Sequence, residues 1–260
     1  MHQPLSYVHS GAEIDKTVVI EPFVTIEKNV VIGKGTWIAS NVTIMEGARI
    51  GENCRIFPGS VISAIPQDLK FNGEDSVVEI GNNTTIRECA TINRGTSVTG
   101  KTIIGENCLI MAYSHVAHDC LIGNNCVIAN SVALAGHVTI GDYAILGGNA
   151  SVHQFVTIGK HSMISGGSLV RKDIPPYVKA AREPLSFIGI NSIGLRRRGF
   201  TEEKITEIQD IYRILFQKNN NTSQAIIKIE TELKSSLERD EITSFVRNSG
   251  RGIMKGYKQN

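Results

Sequence analysis

The sequence predicts a parallel β-helix built from hexapeptide repeats and followed by a C-terminal α-helical domain. Three observations carry that reading. An aliphatic residue recurs at every sixth position from Val8 to Ile62, and the same phase returns at Ile80 and runs to Val170. A period of six fits neither the 3.6 of a helix nor the alternation of a half-buried strand, and is the mark of a solenoid in which each strand is one side of a coil. Four residues after each aliphatic comes a small or β-branched residue, as in Val18, Val24, Val30, Thr36, Val42 and Ala48. Both positions then point inward, the larger filling the centre and the smaller sitting near a corner, while Gly, Asn and Asp collect at the turns. Beyond Asp173, Ile174, Pro175 and Pro176 the period ends and the apolar spacing becomes helical.

Each element follows from this pattern. Three hexads close a triangular coil of eighteen residues, so residues eighteen apart stack at roughly 4.8 Å. Counting hexads from Val8 to Val170 gives nine coils and a prism on the order of 43 Å tall. Val98 is counted as one of the inward aliphatics. Between Ile65 and Gly73 the segment IPQDLKFNG puts Asp68 where an aliphatic is due, so a loop bulges from the wall there. Its hydrogen-bonding residues Gln67, Asp68 and Lys70 favour contact with a substrate. The repeats are assigned to residues 1–175 and the helical domain to 176–260. In the latter, Thr201 reads as a helix N-cap followed by Glu202 and Glu203, with Ile205, Ile208, Ile211 and Leu215 on one face. Further amphipathic stretches run from Ser223 to Leu237 and from Ile242 to Val246.

Composition narrows the function. The balance of 27 basic against 25 acidic residues is too even for a nucleic-acid binder. No apolar run reaches membrane-spanning length, and the first residues lack the layout of a signal peptide, so a cytoplasmic protein without stable membrane insertion is expected. Five cysteines, an odd number, argue against a disulfide framework. Cys54, Cys108, Cys120 and Cys126 all fall in the small inward slot and read as core.

Solenoid surfaces are normally coated with Lys, Glu, Thr and Asn, so a column of histidines needs a reason. The eighteen-residue rule stacks His118 under Gly136 and Gln154, with His137 and His153 alongside and His115 nearby. Three reasons compete: packing across a subunit interface, zinc binding, and general-base catalysis. Zinc has a precedent in hexapeptide-repeat carbonic anhydrases, but their histidine spacing differs from the intervals of three, nineteen and sixteen found here. A neutral imidazole with a pKa near ~6.5 can instead take a proton from an attacking hydroxyl. Asp119 directly follows His118 and would fix its tautomer, provided the chain turns between them, since neighbours in a strand face opposite ways.

The stretches IPQDLKFNGE, IRECATINRGT, SHVAHDC, ALAGHVTIGD, ILGGNASVHQF, DIPPYV and NSIGLRRRGF, in this order, resemble the UDP-N-acetylglucosamine O-acyltransferases that open lipid A biosynthesis. The resemblance covers essentially the whole chain and implies a left-handed coil. It also implies a homotrimer with active sites between adjacent prisms, and transfer of a 3-hydroxyacyl chain from acyl carrier protein to the glucosamine 3-hydroxyl of UDP-N-acetylglucosamine; neither a cofactor nor a metal is expected. Carried over by position, His118 matches the general base, Asp119 its orienting partner and Gly136 the residue whose N–H faces the oxyanion. His115, His137, His153, Gln154, Gln67, Asp68 and Lys70 fall among residues lining the nucleotide-sugar and acyl clefts. Asn191, Arg197 and Arg198 match the group near the uridine and diphosphate. Gly166 matches the far end of the acyl groove, where an absence of side-chain bulk favours a long chain. Ile193 and Asn93 depart from residues found in some members, acidic and histidine respectively. The sister N-acyltransferases carry an extra domain before their repeats, whereas here the repeats start at Val8.

Overall fold

A computed structural model describes residues 5–216 and 221–256. Among these residues short strands form three sheets, parallel throughout the coils, one for each side of a triangular prism. The first side has nine strands, from Tyr7–Val8 to Leu169–Val170, and the second has eight, from Glu13–Ile14 to Thr157–Ile158. The third starts at Val19–Ile20. In the regular coils partners lie eighteen residues apart, as Thr139 with Thr157 and Ile140 with Ile158. The aliphatics Ile26, Ile44, Ile92, Ile110 and Ile128 are fully buried in one continuous core. Val8 and Ile14, in the first coil, are only half-buried because no described coil lies beneath them. Asn29, Asn41, Asn53, Asn83, Asn107 and Asn125 occupy left-handed corners with φ between 53° and 61°, a conformation Asn tolerates better than most residues.

Two pairings break the eighteen-residue rule and correct the coil count. Ile62 pairs with Ile92, and Ile92 with Val116. The chain passes from Val61–Ala64 on the first side to Val77–Ile80 on the second through a long corner, residues 65–76. One coil later it does so again, from Thr91–Asn93 to Lys101–Ile104 through residues 94–100. Both insertions are multiples of six, so the hexad phase survives while the chain leaves the wall. Val98, counted as core in the sequence, is 72% exposed in the second loop. Eight coil turns, not nine, therefore separate Val8 from Val170, a height of roughly 38 Å at ~4.8 Å per coil. The two loops leave the same edge of the prism.

The third side continues past the last coil. Val178–Ala181 pairs with Met163–Ile164 and turns back antiparallel along Ser186–Ile190. Four helices follow among the described residues: α1 (Ser192–Arg197), α2 (Glu202–Leu215), α3 (Thr222–Glu232) and α4 (Leu237–Asn248). Thr201 caps α2 as expected, its hydroxyl accepting from the Lys204 N–H at 3.3 Å. Leu237, grouped with α3 in the sequence, instead opens α4, because Ser236 caps that helix by accepting from the Arg239 N–H at 3.1 Å. The helices pack on the top of the solenoid. Phe187 stacks on Tyr212 and Phe216 at 5.4 and 4.6 Å, and the Tyr212 hydroxyl donates to the Pro176 carbonyl at 2.5 Å. No helix among the described residues is long and apolar enough to cross a membrane.

Candidate active site

The turn that the His118–Asp119 pairing requires is present. His118 and Asp119 form the corner between the first and second sides, with Asp119 at φ 59°, so consecutive side chains converge. His118 Nδ1 lies 2.7 Å from Asp119 Oδ2, which places the proton on Nδ1 and leaves Nε2 with a free lone pair. One coil above, a Cβ added at Gly136 would lie 2.5 Å from His118 Cε1 and 2.6 Å from Nε2. Only glycine leaves room for the ring. The Gly136 N–H donates no hydrogen bond among the described residues. His137 meets His118 edge-on at 5.1 Å between ring centroids, approaches Asp119 Oδ2 to 3.6 Å through Nε2, and stacks on Phe155 at 4.6 Å.

Asp119 is held more tightly than a pairing with His118 requires. Its carboxylate accepts from the Thr96 N–H at 3.0 Å, the Thr96 hydroxyl at 2.7 Å and the Thr99 hydroxyl. Its own N–H donates to Thr102 Oγ1 at 2.8 Å. Burial works against ionisation, but the hydrogen bonds from Thr99, the Thr96 backbone, His118 and the Thr96 hydroxyl outweigh it and lower the carboxyl to about 2. Thr96 and Thr99 were not singled out in the sequence, because the surviving phase at Val98 hid the loop that carries them.

Above this corner the first side forms an open groove of ≈ 770 Å³. Gln67, Asp68 and Lys70 from the 65–76 loop line it, facing His115, His118, Gly136 and Gln154. Asp68 Oδ2 stands 4.0 Å from His118 Nε2. Asn93 is buried and ties the loop's root down, donating through Nδ2 to the Ile65 carbonyl at 3.1 Å. His115 Nδ1 lies 2.8 Å from Thr91 Oγ1, and burial followed by the nearby His118 lowers its pKa. His153 is exposed at the rim, its Nδ1 3.0 Å from the Gln154 carbonyl.

The remaining candidates lie on other edges. Gly166 is at the corner between the third and first sides, where a Cβ would sit 2.9 Å from the Gly148 carbonyl oxygen. Asn191 and Arg198 pack at the corner between the second and third sides, on the order of 20 Å from His118 for a side of six residues at ~3.3 Å each. Arg198 donates to the Tyr143 carbonyl at 3.0 Å and approaches His161 Nδ1 to 3.4 Å. Asn191 Nδ2 donates to the His161 carbonyl at 2.9 Å, and its Oδ1 caps α1 through the Gly194 N–H at 3.3 Å. Arg197 and Ile193 are exposed. Arg196 pairs with Glu202 through Nε at 2.5 Å and Nη2 at 2.8 Å. A single chain thus gathers the histidines with the loop but not with the arginines.

Among the described residues, one cluster has metal-ligand spacing: ligand atoms of His118, Asp119 and His137 lie within 4.8 Å of one another. Its chemistry fits a metal poorly. The Asp119 oxygens already accept from Thr96, Thr99 and His118, and only two imidazoles are present where the zinc-bound carbonic anhydrase type uses three. An oriented His–Asp pair, a glycine fitted to the imidazole and an open groove on a hexapeptide coil define a transferase of the parallel β-helix class.

Comparison with known proteins agrees. The family model described as Udp N-acetylglucosamine O-acyltransferase, Domain 2, matches residues 173–254, and the bacterial transferase hexapeptide model matches 101–136. Acyl-[acyl-carrier-protein]--UDP-N-acetylglucosamine O-acyltransferase of Chlorobaculum parvum is 54% identical over 96% of this chain and 95% of its own. That of Aquifex aeolicus is 59% identical over 77% of both chains. The crystal structure of the UDP-N-acetylglucosamine acyltransferase of Bacteroides fragilis superposes with a TM-score of 0.96 at 52% identity, covering 98% of this chain and 100% of that one. The chain belongs to the UDP-N-acetylglucosamine O-acyltransferase family, and its fold is the left-handed parallel β-helix of that family with a C-terminal helical region.

Proposed function

We propose that this chain moves a 3-hydroxyacyl group from acyl carrier protein to the glucosamine 3-hydroxyl of UDP-N-acetylglucosamine, the first step of lipid A biosynthesis, with His118 as general base. The observation that carries the reading is the His118–Asp119 contact at 2.7 Å beneath a glycine that only an unobstructed imidazole explains. His118 Nε2 takes the hydroxyl proton as the sugar oxygen attacks the thioester carbonyl. Asp119 stays ionised and stabilises the imidazolium. The Gly136 N–H faces the developing oxyanion. The tetrahedral intermediate collapses by expelling the carrier thiolate, which takes the proton back from His118, so atoms and charge balance. Gln67, Asp68, Lys70, His115, His137, His153 and Gln154 line the sugar and acyl clefts. Arg197 and Arg198 meet the diphosphate, with Asn191 fixing the element that carries them.

The acting unit is a homotrimer in the cytoplasm. Two features support the assembly. The groove is a half-site with its arginines on another edge. The outward positions of the third side, Leu109, Val127, Ile145 and Met163, stack as an aliphatic ladder where a β-helix wall is normally polar. The acyl chain lies between two prisms and ends near Gly166, which favours a long donor. Incubation of the purified protein with UDP-N-acetylglucosamine and a panel of hydroxyacyl carrier proteins, read by mass spectrometry, tests the reading. Acylation at the 3-hydroxyl is expected, and no product with any donor contradicts it.

A further inference from the structure

We infer that the 94–100 loop is a positioning element for the reaction, and that Thr96 and Thr99 aim the Asp119 carboxylate at His118. The inference rests on the proposed roles of His118 and Asp119. Three features point to it. The loop is an insertion into an otherwise regular coil, and it leaves the wall at the same edge as the His118–Asp119 corner, directly below it. Its two threonine hydroxyls both reach Asp119, that of Thr99 lying also 2.9 Å from the Lys101 carbonyl oxygen. With the Thr96 N–H they supply three donors to a carboxylate whose fourth partner is the imidazole.

A carboxylate bonded to one imidazole alone can swing about its Cβ–Cγ bond, whereas one held by three fixed donors presents a single lone pair in a single direction. Asp119 and Asp173 are the two buried acidic residues among the described residues. Without the threonines Asp119 would be both under-satisfied and unaimed. The clamp also reaches the second loop. Glu74 accepts from the Ser97 N–H at 3.0 Å and from the Asn72 N–H at 2.8 Å, so the segment that aims Asp119 is tied to the segment that presents Asp68 and Lys70 to the groove. Neither threonine lines the groove, so their effect passes through Asp119.

The test is steady-state kinetics of Thr99→Val, Thr96→Val and the serine variants, in wild type and in Asp119→Asn, each checked for an unchanged oligomeric state. Thr99→Val is expected to lower kcat about tenfold and leave both KM values within about twofold, and Thr99→Ser to recover most of the loss, because it restores the hydroxyl. In Asp119→Asn, Thr99→Val is expected to cost less than about twofold, since its target is already disabled. If the valine variant assembles poorly, the same comparison is made with Thr96→Val and with Glu74→Gln, which loosens the loop without touching Asp119. Full activity in both valine variants, or an undiminished loss on the Asp119→Asn background, overturns the inference. If Asp119→Asn and His118→Ala are themselves fully active, the catalytic reading fails first.

Discussion

The edges flanking the second side of the prism share a backbone and differ in chemistry. Between the first and second sides the left-handed corner position carries Asp119, His137 and Phe155 in successive coils, at φ 59°, 60° and 65°. Between the second and third it carries Tyr143, His161 and Tyr177, at 61°, 57° and 65°. Each ladder holds a histidine, yet the two imidazoles live differently. His137 stands edge-on to His118, with a carboxylate 3.6 Å away, beside an open groove. His161 lies between Tyr143 and Tyr177 at 4.8 and 5.6 Å, edge-on to Phe200, with Arg198 beside it. Burial, then Arg198 and Lys160, lower its pKa to about 4 despite Asp142 pulling the other way. The coil decides where a corner residue stands. The residue before it, and the loop that does or does not cover it, decide what it meets: His118 and Gly136 precede the first pair, and a clamped carboxylate orients the imidazole at the first edge.

The sharpest way to break this contrast is to remove the proposed base. His118→Ala is expected to lose on the order of a hundredfold or more in turnover while keeping its fold and assembly, as read by stopped assays beside sedimentation. Asp119→Asn should be comparable or milder, since it disturbs tautomer and aim. Gly136→Ala comes next. Its methyl would press on the His118 ring at 2.5 Å, so turnover should fall roughly tenfold or more, with sugar binding by calorimetry little changed. At the other edge, Arg198→Ala should raise KM for the nucleotide sugar about tenfold and alter kcat by less than about threefold, the pattern of lost ground-state binding.

The smallest effect sharpens the comparison through pH. His161 has a folded pKa below its unfolded value, so its neutral form is favoured in the fold, and that contribution is complete above ~6.5 and lost as pH falls towards about 4. Its size is at most about 3 kcal/mol. Urea midpoints at neutral pH and near the lower bound should therefore converge in His161→Asn relative to wild type. Asn suits the site's backbone, because seven other corners among the described residues already hold Asn at φ near this value.

Much of this was legible in the sequence, for physical reasons. A wall one residue thick repeats its inward side chains strictly, so Ile26, Ile44 and Ile110 announced the coil and Cys108, Cys120 and Cys126 announced themselves as core. The stacking rule also brought His118, Gly136 and Gln154 together before any coordinates. The same regularity misled at Val98. An insertion of six residues leaves the phase intact, so nothing periodic marked the loop that carries Thr96 and Thr99. Asn93 anchors a loop root, a contact between segments that no period encodes. Nor does a period say that Arg198 stands a full side away from His118.

That separation makes the central claim testable: one site is built from two edges of different chains. His118→Ala protein, nearly inactive, and Arg198→Ala protein, reduced about tenfold at low nucleotide-sugar concentration, are unfolded together in equal amounts, refolded and assayed there. Random trimers with sites shared between neighbours should recover about a quarter of wild-type activity, because one interface in four joins an intact His118 to an intact Arg198. Recovery no greater than the sum of the two parents would show that the histidine and arginine of a single chain serve the same site, and would contradict the account.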